Sequence, residues 1–177
     1  MWGKGKRFGF VKLSENILYW YALVNEKFYS DDIDLLETFR EFHPDILEMI
    51  AETAKQNIIL NDIIDIQPMD SWCTENLCLI GDAAHATTPN MGQGGCQAVE
   101  DAYVIAKLSE TEKDWNIVFS QFEKIRKKKV HHIVKTSWTL GKIAQWENFT
   151  SFRNTIFRRI PESVNQRQME KILKLEL

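Results

Sequence analysis

The stretch Leu79–Asp101, LIGDAAHATTPNMGQGGCQAVED, decides how this chain is read. A short apolar run, Leu77 to Ile80, ends in Gly81-Asp82. Its brevity fits a buried strand of a parallel sheet. A loop follows with Pro89 and the glycines Gly92, Gly94 and Gly95, and then a helix opens. Asp82 thus sits at the C-terminal end of a strand, the edge at which open α/β sheets hold ligands. Its carboxylate suits sugar or ribityl hydroxyls; the plainer alternative is a loop or helix cap. The glycines permit positive φ and a close approach of backbone to a ligand. The helix they precede has amino-terminal N–H groups without intrahelical partners, and these attract negative charge. A tight turn before a helix would use the same residues.

His85 is the candidate for acid/base chemistry, against a structural role in the loop. No nucleophile elbow accompanies it, which disfavours a flavin-independent hydrolase. His131 and His132 are adjacent on a helical pattern and point apart, so no metal site is expected. Glu100 and Asp101 are likewise adjacent. They read as complements to the helix dipole rather than an acid/base pair.

Working outward, Arg7–Leu13 and Ile17–Val24 carry the aromatic and β-branched content of two strands, joined by Ser14-Glu15-Asn16. Apolar spacing predicts a helix over Asp31–Phe42, and Pro44 suits the first turn of another through Ile50. Ile63–Ile66 is a short strand candidate. Ala98, Val99, Ala102, Ile105, Ala106 and Leu108 predict a helix over Gly95–Leu108. One long or kinked helix is expected over Trp115–Trp146, with Gly141 its only glycine, and a final one over Glu162–Leu175 after Pro161. Strands first, a buried strand in the middle and a helical second half imply an α+β or α/β architecture.

Composition bounds the rest. Hydrophobic residues at 44% and charged residues at 27% are ordinary for a globular domain. A net charge of -3 gives no pull towards nucleic acid. The basic run Arg126-Lys127-Lys128-Lys129 reads as a solvated helix face. The three cysteines, Cys73, Cys78 and Cys96, match no zinc spacing and point to a reduced, cytoplasmic setting. Cys78 reads as a small core residue. No apolar stretch is long enough to span a bilayer.

Gly81-Asp82-Ala83-Ala84-His85, Pro89, Gly92-Gln93-Gly94-Gly95 and Glu100-Asp101-Ala102 together closely resemble the second FAD-binding motif of class A flavoprotein monooxygenases. Ala86-Thr87-Thr88-Pro89 and Gly94-Gly95-Cys96 resemble the zeaxanthin epoxidase-like and FAD-dependent urate hydroxylase-like branches. Trp2–Gly9 with Tyr19-Trp20-Tyr21 resembles the end of that family's substrate-domain sheet. Phe122-Glu123-Lys124-Ile125-Arg126 resembles its Tyr-Glu-x-x-Arg helix. The resemblance implies FAD as cofactor, with Asp82 on a ribityl hydroxyl and Pro89 beside the flavin and the substrate. Gly81 belongs to the same cofactor motif, and Gly92, Gln93, Gly94 and Gly95 would lie at the ring's pyrimidine edge. It further implies NAD(P)H as reductant and a flavin C4a-hydroperoxide that hydroxylates or epoxidises a small aromatic or polyunsaturated substrate.

The family's Gly-x-Gly-x-x-Gly unit, which holds the ADP half of FAD, has no counterpart in this sequence. The expected organisation is therefore the C-terminal half of a family member. Residues 1–70 would end the substrate-domain sheet, 71–112 would carry the last FAD-domain strand and the Gly-Asp motif, and 113–177 would be helical. Function then requires an N-terminal half as partner. The alternative is a non-enzymatic, self-associating module that does not bind FAD alone.

Overall fold

Two strands open the chain as expected. β1 (Lys6–Lys12) and β2 (Leu18–Val24) pair antiparallel, in register from Lys6↔Val24 to Lys12↔Leu18. The computed structural model describes residues 1–30 and 32–175. These divide into two units. One comprises Met1–Asp62 and Lys142–Arg159; the other comprises Ile63–Gly141 and the chain from Ile160 onward.

In the first unit one face of the hairpin packs on α1 (Leu35–Phe39) and α2 (Pro44–Glu52). Phe8 stacks on Trp20 with ring centroids 5.3 Å apart, and Phe39, Phe42, Ile46 and Ile50 complete the cluster. Phe10, Val11, Tyr19 and Tyr21 stay exposed. The predicted Asp31–Phe42 helix is shorter in the structure, and Asp31 itself lies outside the described residues. Asp34 caps the helix, accepting from the Glu37 N–H at 3.1 Å. Pro44 holds His43 extended at ψ 143, which separates α1 from α2.

A helix that sequence patterning missed, α6 (Thr150–Arg159), contributes the buried Arg153. Its guanidinium donates to the carbonyls of Ala144 at 2.7 Å, Trp146 at 3.3 Å and Gly3 at 3.2 Å. Those carbonyls include the end of a long helix, where a cation satisfies acceptors left over by the helix itself.

The second unit is built from α3 (Asp82–His85), α4 (Gly94–Thr111), most of α5 (Trp115–Ala144) and α7 (Glu162–Leu173). Trp72, Ala84, Val104, Phe122 and Val130 form its core. α5 runs unbroken through Gly141 to Ala144.

Two expectations are corrected here. Neither Ile63–Ile66 nor Leu77–Ile80 is a strand; the only sheet among the described residues is β1–β2. A strand exists through pairing with neighbours. Leu77–Ile80 finds only a tight hairpin with residues 72–74, bridged at Cys73↔Cys78. The helix expected over Gly95–Leu108 is present as α4, but not all the apolar residues that predict it lie on its buried side: Val99 is 71% exposed. The buried side is instead Gln97, Asp101 and Val104.

Candidate functional site

The Gly-Asp loop starts from a turn that demands glycine. Gly81 has φ 56 and ψ −140, and a Cβ there would lie 3.0 Å from the Cβ of Ala98. A side chain would meet both backbone strain and helix α4. One helical turn, α3, follows directly and divides its residues between two sides. Asp82 and Ala83 are exposed, while Ala84 and His85 are buried.

The buried side is ionic. Asp101 of α4 is inaccessible to solvent. Its Oδ2 accepts the Gly81 N–H at 2.9 Å and His85 Nε2–H at 2.6 Å, and its Oδ1 accepts Arg126 Nε–H at 2.8 Å. Burial pushes the Asp101 carboxyl towards protonation. The donors from His85, Arg126 and Gly81 together outweigh it and hold the group below the usual carboxylate range. Arg126, also inaccessible, donates to Glu100 Oε2 at 2.6 Å and Gln97 Oε1 at 2.7 Å. Lys129 reaches the same Glu100 oxygen at 2.7 Å and the Lys174 carbonyl at 2.8 Å. Two carboxylates thus meet a guanidinium and an ammonium. Such a network is favourable only when its members are fully paired.

Arg126-Lys127-Lys128-Lys129 is therefore not a solvated face: Arg126 and Lys129 are buried and Lys128 is exposed. Trp72 closes the network from the side. Its ring centroid is 5.2 Å from that of His85 and 6.1 Å from that of Phe122, and its backbone N–H donates to Glu123 Oε2 at 3.1 Å.

A second set of bonds fixes the middle of the loop. Asn90 Nδ2 donates to Thr88 Oγ1 and to the Ser137 carbonyl, both at 2.8 Å, and Ser137 Oγ donates to the Thr88 carbonyl at 2.7 Å. Gly141, one turn further along α5, leaves room for Asn90; a Cβ there would overlap its amide. Thr88 and Asn90 flank Pro89, so α5 sets the position of that proline.

The outward side of the loop is open. Asp82, Pro89, Gly92 and Gly95 are exposed, and a Cβ added at Gly92 or Gly95 would meet nothing within 4 Å. Gly92 has φ 62. A Cβ on Gly94 would lie 3.7 Å from an Asp82 carboxylate oxygen and 3.6 Å from Thr87 Cγ2. Asp82 and the glycines are thereby neighbours. Gln93, at the amino end of α4, supplies no side-chain cap and is buried, donated to by Gln97 Nε2 at 3.3 Å. Thr87 Oγ1 is buried with no hydrogen-bond partner. A free carboxylate, an uncapped helix amino end and an orphan hydroxyl beside bare glycine backbone fit a polyhydroxylated cofactor with a hydrogen-bonding ring edge, which describes FAD.

Residues 39–138 match the FAD binding domain family. The chain belongs to the class A FAD-dependent monooxygenases. Its homologues include urate hydroxylase-like and zeaxanthin epoxidase-like proteins. It is 38% identical to the aurachin C monooxygenase/isomerase of Stigmatella aurantiaca, over 83% of this chain and 40% of that protein. With the 2-heptyl-3-hydroxy-4(1H)-quinolone synthase of Pseudomonas aeruginosa it shares 32% identity, over 97% of this chain and 47% of that one. The structure of Klebsiella pneumoniae HpxO complexed with FAD and uric acid superposes with a TM-score of 0.82 at 24% identity, covering 97% of this chain and 46% of that one. This monooxygenase homologue accordingly spans under half the length of these relatives.

Of the loop residues named from sequence, Asp82, Pro89, Gly92 and Gly95 face outward while Gly81, His85 and Gln93 are buried, and the Asp101–Arg126 pair that supports the loop was passed over. Asp101 and Arg126 stand 25 residues apart on different helices, and charge alone gave no reason to pair them. The available signal was that Glu100-Asp101-Ala102 and the Arg126 helix both belong to motifs of this family.

Proposed function

We propose that this chain forms the flavin-facing C-terminal part of an NAD(P)H-dependent FAD monooxygenase, active together with an N-terminal part that holds the ADP half of the cofactor. The observation that carries this reading is the two-sided loop: its buried side is locked by Asp101 and Arg126, and its open side presents Asp82 and the glycines. Asp82 would accept hydrogen bonds from ribityl hydroxyls. Backbone N–H groups of Gly92–Gly95 would donate to the pyrimidine edge of the ring, and the α4 amino end would stabilise negative charge gathered there. Pro89, held by Thr88 and Asn90, would form a rigid wall between ring and substrate. Bound FAD would supply the oxygen chemistry, passing electrons from NAD(P)H to dioxygen so that one oxygen atom enters the substrate. His85, buried against Asp101, would serve as a support and not touch substrate.

The substrate class is a small planar aromatic heterocycle. This follows the quinolone and the uric acid named for two of the similar proteins. Three free cysteines support a reducing, cytoplasmic setting. Among the described residues no helix is long and apolar enough to cross a membrane.

Mixing this chain with an N-terminal part carrying Gly-x-Gly-x-x-Gly from a relative, then measuring retained flavin absorbance after desalting, tests the reading. Flavin should be retained by the combined parts, with substrate-linked NAD(P)H oxidation. Failure of the combined, folded parts to retain flavin would overturn it.

A second reading draws on the exposed Phe10, Val11, Tyr19 and Tyr21 of a two-stranded sheet whose β1 edge is paired only at Arg7–Phe8, by Met1 and Trp2. Open edges invite pairing, so the chain would self-associate without flavin. Light scattering decides between them: a monomer that needs its complement to bind flavin supports the first reading, and a stable homo-oligomer that refuses the complement supports the second.

A further inference from the structure

The hairpin leading into Gly81 carries two of the three cysteines. Cys73 and Cys78 face each other across it as an antiparallel bridge. The flanking bonds run from Thr74 N–H to the Leu77 carbonyl at 2.7 Å and from Leu79 N–H to the Trp72 carbonyl at 2.9 Å. Cys73 and Cys78 are therefore a non-hydrogen-bonded pair, the arrangement in which opposing Cα atoms approach to about 4.5 Å and side chains emerge together. A disulfide accepts Cα separations of about 4.4–6.8 Å, so this backbone is already within range. The Cys78 Sγ lies 3.8 Å from the Leu79 carbonyl oxygen. Both thiols are free and half-buried, whereas Cys96 is exposed on α4.

We propose that Cys73 and Cys78 form a peroxide-sensitive thiol pair, oxidised to an intrachain disulfide at the root of the Gly-Asp loop. The Cys73 thiolate attacks one oxygen of hydrogen peroxide. An S–O bond forms and the O–O bond breaks. The departing hydroxide takes up the proton Cys73 gave up and leaves as water. The Cys78 sulfur then displaces the sulfenic oxygen. An S–S bond forms, the S–O bond breaks, and the second oxygen leaves as water with the sulfenic hydrogen and the Cys78 proton. Two thiols lose two electrons and the peroxide gains them.

The order of attack follows from the environment. Burial pushes both thiols up. The interaction between the two side chains eases ionisation of Cys73 and raises Cys78 further, so Cys73 ionises first. The charged groups acting on the pair are Glu123, Lys127 and Asp101. The same hairpin carries Trp72, whose ring packs on His85. Oxidation would staple that support three residues before Gly81.

The full chain, treated with hydrogen peroxide, alkylated and digested, tests this by mass spectrometry. The peptide holding both cysteines should lose two hydrogens in monomeric protein while Cys96 remains alkylatable, and C96S should behave in the same way. In C78S, a sulfenic acid should persist at Cys73 and be trapped by a carbon nucleophile such as a cyclic diketone. In urea the preference should disappear and mixed pairings involving Cys96 should form. The proposal is overturned if native Cys73 and Cys78 both stay alkylatable while Cys96 oxidises, or if native pairing is as mixed as in urea. None of these readouts involves flavin, so the outcome is separate from the fate of the monooxygenase reading.

Discussion

The two sides of the Gly-Asp loop obey different rules. On the inner side every polar group of the Asp101–Arg126 pair is matched: the carboxylate by three donors and the guanidinium by Asp101, Glu100 and Gln97. On the outer side Asp82 is exposed and the glycines carry open backbone. Paired charges that are desolvated give position, and unpaired groups left in solvent remain available to a ligand. The difference teaches that the loop's rigidity and its chemistry are carried by separate residues, and each side can be altered while the other is watched.

The largest effect is expected from Arg126. Arg126→Ala leaves Asp101 and Glu100 buried beside an empty space, and removing one partner of a buried ion pair costs about 3–5 kcal/mol. Urea denaturation should show a loss of that order. Arg126→Lys keeps the charge but loses the fork that reaches Asp101, Glu100 and Gln97 at once, so it should recover only part. A loss below about 1 kcal/mol in Arg126→Ala would mean the inner side is not the anchor.

Acid should attack the same side. Asp101 ionises more readily in the folded chain than in the unfolded one. The unfolded state therefore binds more protons as pH drops, and stability rises with pH. The Asp101 contribution is complete above the ordinary carboxylate value of about 3.9 and is lost as pH falls from there through the lower, folded value. His131 adds an earlier step of the same sign. Burial foremost, with Lys127 and His85 nearby, holds its ring below the usual histidine value. Its share is then complete above about pH 6.5 and declines below it. Thermal melts from pH 7 to 3 should show both steps. Asp101→Asn should remove the lower one and His131→Phe the upper.

Much of this was legible in the sequence, and the exceptions have two physical causes. Alternating aromatics placed β1 and β2 within a residue of their ends, and Pro44, Trp115 and Pro161 marked helix starts. Hydrophobic spacing failed where the buried side of a helix is polar. On α4 the inward residues are Gln97 and Asp101, while Val99 faces out. On α5 the basic run conceals a buried Arg126. Periodicity finds apolar burial; it does not find a charge that is buried because a partner on another helix waits for it. The supposed strands Ile63–Ile66 and Leu77–Ile80 failed for a different reason. Their apolar composition is real, but pairing is a property of neighbours.

A smaller effect separates the two sides at Pro89. Gly141→Ala should gain up to about 1 kcal/mol from helix propensity, yet the new methyl would overlap the Asn90 amide. Overpacking of this kind costs about 1–3 kcal/mol, so the net change should be a loss. In an Asn90→Ala background the obstacle is gone, and the same substitution should become stabilising. That reversal of sign, read from paired thermal melts, would identify the amide as the contact. A loss of equal size in both backgrounds would refute the clamp.

The smallest change in stability is expected on the outer side, and it carries the sharpest test of function. Asp82 is exposed, and its carboxylate accepts no hydrogen bond from another side chain among the described residues. Asp82→Ala should therefore alter stability by no more than about 0.5 kcal/mol, the usual range for a surface site. Gly95→Ala adds a methyl to open space inside the first turn of α4 and should be neutral or slightly stabilising, since alanine favours a helix over glycine. If these residues face the cofactor, both variants should fold as the parent does and still lose flavin when combined with the complementary N-terminal part. Asp82→Ala would lose a ribityl acceptor, and Gly95→Ala would hold the ring off the helix end. Arg126→Lys should give the opposite pattern, weakened stability with flavin retained in the folded fraction. Equal effects of all three on stability and flavin would mean that the loop is a single structural element with no separate ligand side.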